Sequence, residues 1–250
     1  MISPNPFLTK QKEFFRYTGK TMISGPDVLI LPMAIALAAG SGGHKLACTV
    51  PQAPQVMVRV TTDQIDYDFS QTAKALTALK GDTVSPYAPG TDSISGGLRE
   101  DHPAIKSEIK WQVMYEERSD QACMWYDSIT INIRLDPKIY VAREFNVGAC
   151  REEILRHERK HVDIDQIVMN KYGRKIGEAV QKAVDAAGAV GPFRYSNIEE
   201  MKGMASSHIE SAINSQKLLM EKEMRQLQGR VDSLAENERI STVCKGVKLR

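Results

Sequence analysis

Between about Cys150 and Ala186, apolar and histidine side chains recur at Ile154, His157, His161, Ile164, Val168, Tyr172, Ile176, Ala179 and Ala183. Steps of three and four return to one side of an α-helix, so this stretch specifies a single long helix with one continuous face. After Gly188 to Pro192, Ser196 and Glu199 have the spacing of a capping box and open a second helix, expected to run to about Glu238. Its stripe is read as Met220, Glu223, Leu227, Val231 and Leu234. A short Gly/Pro turn between two long helices predicts an antiparallel hairpin. Gly173 and Gly177 are candidates for bending the first helix.

The first half of the chain has the other period. From Gln55 to Ser70 side chains alternate, with Val56, Val58 and Val60 and then Ile65, Tyr67 and Phe69, as in half-buried strands. A short helix over Gln71 to Leu79 aligns Ala73, Leu76 and Leu79 and is expected to stop at Gly81. Gly81 to Pro103 loses periodicity and reads as a long loop, a candidate lining for a cleft. Strands are predicted at Ile109 to Tyr115 and Met124 to Leu135, the pattern breaking at Asp136-Pro137. The expected fold is therefore α+β: a small, mostly antiparallel sheet with one short helix, then a long antiparallel helical hairpin.

The first long helix contains His157-Glu158-Arg159-Lys160-His161, a zincin-like H-E-x-x-H motif. That spacing puts both imidazoles on one side of the helix, one turn apart, where they can share a zinc ion. Glu158 is offset from them and is placed to act as general base toward an activated water. Arg159 and Lys160 read as the solvated face. A third ligand is required. Asp165 lies about 12 Å along the axis from His157, too far to share its ion. The facing helix is the remaining source, and a turn near Gly191 puts Glu221 or Glu223 opposite the histidines. Glu223 is the first candidate because it falls on the stripe, with Glu210, Asp232, Glu236 and Glu238 left open by the uncertainty of register.

The other half of the argument concerns compartment. Residues 1–40 combine a basic stretch (Lys10, Lys12, Arg16, Lys20) with an uncharged apolar run from Val28 to Ala39 that ends in small residues. At about twelve residues the run is too short to span a bilayer and reads as an export signal cleaved near Ala38 or Gly40, the other reading being an uncleaved anchor. Residues 41–250 then form one domain, with a strand-rich half over 55–145 and a helical half over 150–240. A lipoprotein-type attachment at Cys48 is not supported, because Lys45 stands where an apolar residue is needed. Four cysteines in an exported chain suggest disulfides, and Cys123 with Cys150 is the preferred pair. The leader carries the whole net charge of +2, so the remainder is balanced and a nucleic-acid partner is not expected.

The run from Ile154 to Ile164, with Asp163 after the motif, resembles a bacterial family of unknown function described as predicted secreted zinc-dependent proteases. The likeness covers roughly Gln55 to Tyr172 and includes Tyr67, Trp111 and Cys123. It implies a periplasmic or secreted metallopeptidase with zinc on His157 and His161, Glu158 as general base, and Asp163 supporting a ligand imidazole. In that family the C-terminal helix carries a Tyr-Asp pair followed by Thr-x-His. Here Val231-Asp232 is followed by Ala235-Glu236-Asn237, so Asn237 stands where the family has histidine. The expected substrate is a peptide or protein, a cell-wall peptide included, and no stable membrane insertion is expected after cleavage. The competing reading is a non-catalytic envelope protein in which zinc braces the sheet against the hairpin. The long second helix is also a candidate dimerisation surface.

Overall fold

A computed structural model describes residues 12–17, 46–79 and 94–246 of the chain. In chain order these form strand β1 (Lys12–Tyr17), β2 (Gln55–Thr62), β3 (Asp66–Asp68), helix α1 (Ala73–Ala78), β4 (Gly97–Glu100), β5 (Ala104–Glu116), β6 (Gln121–Leu135), β7 (Lys138–Val141), α2 (Gly148–Ala187), β8 (Val190–Arg194), a 3-10 turn (Tyr195–Asn197), α3 (Ile198–Val231) and α4 (Leu234–Val243). The fold is α+β. Its main sheet has the order β1-β2-β6-β5, with β8 paired to β6, and a smaller sheet has the order β3-β7-β4.

Both sheets are mixed, which corrects the expectation of a mostly antiparallel one. The β5–β6 hairpin is antiparallel, but β2 runs parallel to β6 and β3 parallel to β7. The connection between β2 and β6 is not short: it contains the small sheet's β3 and β4 together with α1, which supplies the crossover that parallel pairing requires. In register, Val56, Val58 and Val60 lie beside Ile129, Ile131 and Ile133, and all six are buried. Against them α2 lays Val168, Met169, Tyr172, Ile176 and Val180, and α3 adds Ile209, Ile213, Met220 and Met224 to the same core. Fully burying one such side chain contributes about 1.5–3 kcal/mol, so this layer dominates the stability of the domain.

Helix α2 is continuous over its 40 residues, through Gly173 and Gly177. A Cβ on Gly173 would lie 2.7 Å from Val60 Cγ2, so the glycine lets the helix approach β2. Cross-contacts run from Lys171 with Glu223 to Lys160 with Glu236, one number falling as the other rises, so α2 is antiparallel to the α3–α4 arm, as the hairpin reading expected.

Several local expectations are corrected. Part of the loop expected over Gly81 to Pro103 is strand β4, while residues 81–93, Gly81 included, lie outside the described residues. Helix α1 ends at Ala78, starting from a Thr72 cap whose hydroxyl accepts the Ala75 N–H at 3.0 Å. Asp136-Pro137 ends β6 but not the sheet structure, because β7 follows at once. The capping box does not form, since Ser196 hydrogen-bonds Asn197 instead. The second helix is not continuous to Glu238: it breaks at Asp232 and restarts as α4, where the Ser233 hydroxyl accepts the Glu236 N–H. Of the expected leader, residues 12–17 form β1, antiparallel to β2, and the rest lies outside the described residues.

The cysteines pair as Cys48–Cys123 and Cys150–Cys244, not as Cys123–Cys150. The extended segment before β2 carries Cys48 to β6, held there by a Leu46 N–H to Gln121 Oε1 bond of 3.3 Å, and α4 returns Cys244 to the first turn of α2. Gly191 of β8 packs over the first bridge with φ +134°; a Cβ there would meet Ala122 O at 2.7 Å and Cys48 Sγ at 2.9 Å. No described helix is long and apolar enough to cross a membrane. The double variant Cys150→Ser, Cys244→Ser is expected to lose about 2–4 kcal/mol of unfolding free energy, read from urea denaturation under oxidising conditions. A midpoint equal to wild type would show that this bridge does not constrain the helical arm.

Candidate metal centre

Helix α2 is covered by the sheets on one side and by α3 and α4 on another, so polar side chains on its inner face are cut off from water. His157, Glu158 and His161 are all buried there, at 7%, 4% and 1% exposure. Such groups must find partners or a bound ion. The two rings meet edge to face with centroids 4.8 Å apart, and their Nε2 atoms are 3.2 Å apart.

Asp232 completes the group. It is the C-cap of α3, with φ −78° and ψ 27°, and its N–H still bonds Gln228 O while the chain turns away into α4. That break aims the carboxylate at α2: Asp232 Oδ1 is 3.3 Å from His157 Nε2 and 3.0 Å from His161 Nε2. Three donor atoms therefore form a triangle with edges of 3.0, 3.2 and 3.3 Å. An ion bound tetrahedrally at about 2.0–2.1 Å has ligand-to-ligand edges of about 3.3 Å, so the triangle fits one face of such a site. Among the described residues this is the group of histidine, cysteine and carboxylate side chains placed to hold a metal ion.

The hydrogen-bond network fixes the chemistry of His161. Gln228 Nε2 donates to His161 O at 3.1 Å and to Asp165 Oδ1 at 2.7 Å, so both its hydrogens are committed. Its Oε1 faces His161 Nδ1 and must accept, which places a hydrogen on Nδ1 and leaves Nε2 of the neutral ring a lone pair turned toward His157 and Asp232. Asp165 is in turn paired with Arg99 of β4, which also lies 2.9 Å from Asp101.

Electrostatics point the same way. Burial raises the Asp232 carboxyl, but hydrogen bonds from His157 and His161 and their charges outweigh it and hold the group down at about 2. Burial lowers His161, while the Asp232 hydrogen bond and the Glu158 charge outweigh it and leave the ring raised. A site that stabilises a proton on a buried imidazole stabilises positive charge generally, including that of a cation. Glu158 is pushed up by burial, opposed by the charges of His157 and His161. Its Oε2 makes no hydrogen bond, and a Cβ on Gly97 would lie 2.7 Å from its Oε1, so β4 can pass over this carboxylate only with glycine at that position.

The structure brings His157, Glu158 and His161 together and leaves Glu223 and Asp163 out. Glu223 lies on the flank of α3, where Lys171 Nζ bonds both its oxygens at 2.7 Å and Tyr172 OH donates at 3.1 Å; those bonds, with Lys171 first, hold it below the usual carboxylate range. Two errors account for the misplacement. The buried face of α3 runs through Met220, Met224 and Gln228 to Asp232, one position round from the stripe read through Glu223. The turn also spans β8 and the 3-10 segment, so the hairpin is centred several residues beyond Gly191, and the position facing the motif shifts toward Asp232. Asp163 is exposed; the acid behind the ligands is Asp165, one turn beyond His161 on the inner face. Glu210 and Glu238 are exposed, and Asn237 bonds Ser233 O at 3.2 Å. A cavity of about 360 Å³ beside Gln55, Gln112, Trp125 and Asp127 is a separate feature and contains none of these groups.

Compared with protein-family models, with curated proteins and with solved structures, the chain matches none.

Around the centre, Glu236 of α4 bonds Arg239, which also pairs with Glu153, and Lys160 at 2.5 Å; Arg239 first and then Lys160 hold Glu236 down at about 2. A carboxylate depressed from 4.5 to about 2 adds stability that is fully present above pH 4.5 and is lost as pH falls toward 2. Replacing Glu236 by Gln should accordingly lower Tm at neutral pH and shrink the gap from wild type as the pH drops through that window, measured by thermal melts of the metal-free chain. A gap independent of pH would show that the ion pairs contribute nothing in solution.

Proposed function

We propose that this chain is a zinc-dependent peptidase of the cell envelope, with His157, His161 and Asp232 as metal ligands and Glu158 as general base. The observation that carries the reading is the triangle of two imidazole nitrogens and one carboxylate oxygen, with edges close to those of a tetrahedral zinc site, beside a buried glutamate. Zinc, when bound, supplies Lewis acidity, bringing a water's pKa toward roughly 7 and polarising a carbonyl oxygen. His157, His161 and Asp232 would hold a divalent ion with one negative ligand only, so the ion would keep the positive charge that this role needs. Asp232 stays ionised and contributes the one negative ligand. Glu158 accepts the proton of the attacking water and passes it to the leaving amine, and the upward pull of burial on its carboxyl favours carrying that proton. The two disulfides among the described residues fit an oxidising compartment outside the cytoplasm. A peptide or protein substrate, cell-wall peptides included, suits this chemistry.

A second reading has an observation of its own. The ligands are buried where the break between α3 and α4 meets α2, so a metal there would also clamp the C-terminal arm, as in a structural site. Glu158 discriminates between the two, since a purely structural ion has no use for a buried carboxylate beside its ligands. Elemental analysis of the purified chain should find about one zinc per molecule, lost in His157→Ala, His161→Ala and Asp232→Ala and retained in Glu223→Gln. Glu158→Gln should keep the metal while hydrolysis of a peptide library falls by about 10²–10⁴-fold. Zinc retained with undiminished hydrolysis removes Glu158 from the mechanism. Zinc that raises Tm in a chain hydrolysing no peptide favours the structural clamp.

A further inference from the structure

We infer that Arg99 and Asp165 are positioning residues for the metal centre, and that they link metal binding thermodynamically to the docking of strand β4 through the chain Arg99–Asp165–Gln228–His161. The inference rests on the metal-binding half of the reading above and is independent of peptide hydrolysis.

Each link has a forced polarity. Arg99 can only donate, and its side chain is 8% exposed, with Nη1 between Asp101 at 2.9 Å and Asp165. Asp165 thereby spends Oδ2 on Arg99 and Oδ1 on Gln228 Nε2, at 2.7 Å for the latter. Gln228 has its second hydrogen on His161 O, so its carbonyl oxygen is the atom left for His161 Nδ1. Asp165 and the His161 carbonyl, both acceptors, set the orientation of Gln228, and the cation on β4, paired with Asp165, holds that carboxylate in place three side chains from the His161 nitrogen that keeps a lone pair. With Asn in place of Asp165, an amide N–H can face Gln228, which invites that amide to turn over and offer a donor to His161 Nδ1. The ring would then carry its hydrogen on Nε2, where a metal needs the lone pair.

The strand touches the centre a second time. Gly97 of the same four-residue β4 lies against the Glu158 carboxylate and Ile154, with no room for a Cβ. One short strand thus supports a metal ligand through Arg99 and covers the proton-carrying glutamate through Gly97. β4 pairs with β7 along one side and buries Leu98 against Leu76 and Tyr140, and the buried Arg99 contacts tie its other side to α2. Linkage is reciprocal: if a docked β4 strengthens metal binding, bound metal must strengthen the docking of β4 by the same factor.

The test uses the full chain and zinc alone. Zinc affinity is measured by competition with a chromogenic chelator in wild type, Asp165→Asn, Arg99→Met and Arg99→Lys, with the cobalt(II) absorption spectrum reporting ligand geometry. Hydrogen exchange at amides 97–100 is followed with and without zinc. Affinity should fall about 10–100-fold in Asp165→Asn and Arg99→Met, with part recovered in Arg99→Lys, the usual size for outer partners of a metal ligand. Exchange in β4 should slow on zinc binding in wild type and not in Asp165→Asn. Wild-type affinity in both Asp165→Asn and Arg99→Met overturns the inference, and so does β4 exchange that is the same with and without zinc in wild type, a readout that needs no variant to fold. A wild type that binds no zinc overturns the metal-centre reading and this inference together, whereas tight binding with unaffected variants overturns the inference alone.

Discussion

The constraint on which the site depends is the burial of one helix on two sides. α2 is pressed onto the valine and isoleucine rows of β2 and β6, closely enough that Gly173 is required, and is covered again by α3. A helix buried this way can carry a polar inner turn only if that turn is satisfied from outside the helix, because unpaired groups there cost several kcal/mol in total. His157, Glu158, His161 and Asp165 are such a turn. Asp232, Gln228 and Arg99 are what the rest of the chain supplies to it. The polar cluster sits toward the N-terminal end of α2, and the purely apolar layer of Val168, Met169, Ile176 and Val180 continues beyond it.

The break between α3 and α4 is the second condition. A continuous helix through Asp232 would carry its last turns straight on along α2. Ending α3 at that residue, with Ser233 extended and capping α4, lets one chain present Gln228 and Asp232 to the histidines from the end of one helix. The next helix then adds Glu236, whose Oε1 lies 3.7 Å from His157 Nδ1. The centre is thus built from a helix interior on one side and a helix terminus on the other.

Much of this was legible in the sequence, and unevenly so. The period of three and four around His157 and His161 identified α2 and its inner face, and the alternation at Val56 to Val60 and Ile129 to Ile133 identified the two central strands, because both patterns are dictated by which side chains meet the core. What escaped is what depends on partners distant in sequence. Parallel pairing of β2 with β6 is invisible to alternation. So is the choice among three disulfide pairings. Asp232 stands among the open candidates, yet the stripe read through Leu227, Val231 and Leu234 favours Glu223, because those apolar residues lie on the flank of the helix, only partly buried or, at Leu234, exposed. The series Met220, Met224, Gln228, Asp232 was present as steps of four, but its polar end resembles a solvated face until the histidines it meets are known.

The bridge between Cys150 and Cys244 joins the first turn of α2 to the end of α4 and so turns the helical arm into a covalent ring. Along the backbone, His157 and Asp232 are separated by most of that arm. Through the bridge the path between them shortens to about twenty residues, which lowers the entropy of bringing the two together by about 1 kcal/mol. Before the sheet has formed, the oxidised chain therefore holds its imidazoles and its carboxylate at a higher effective concentration than the reduced chain does. A chain that oxidises before it folds would meet its metal with the ligand set already half gathered.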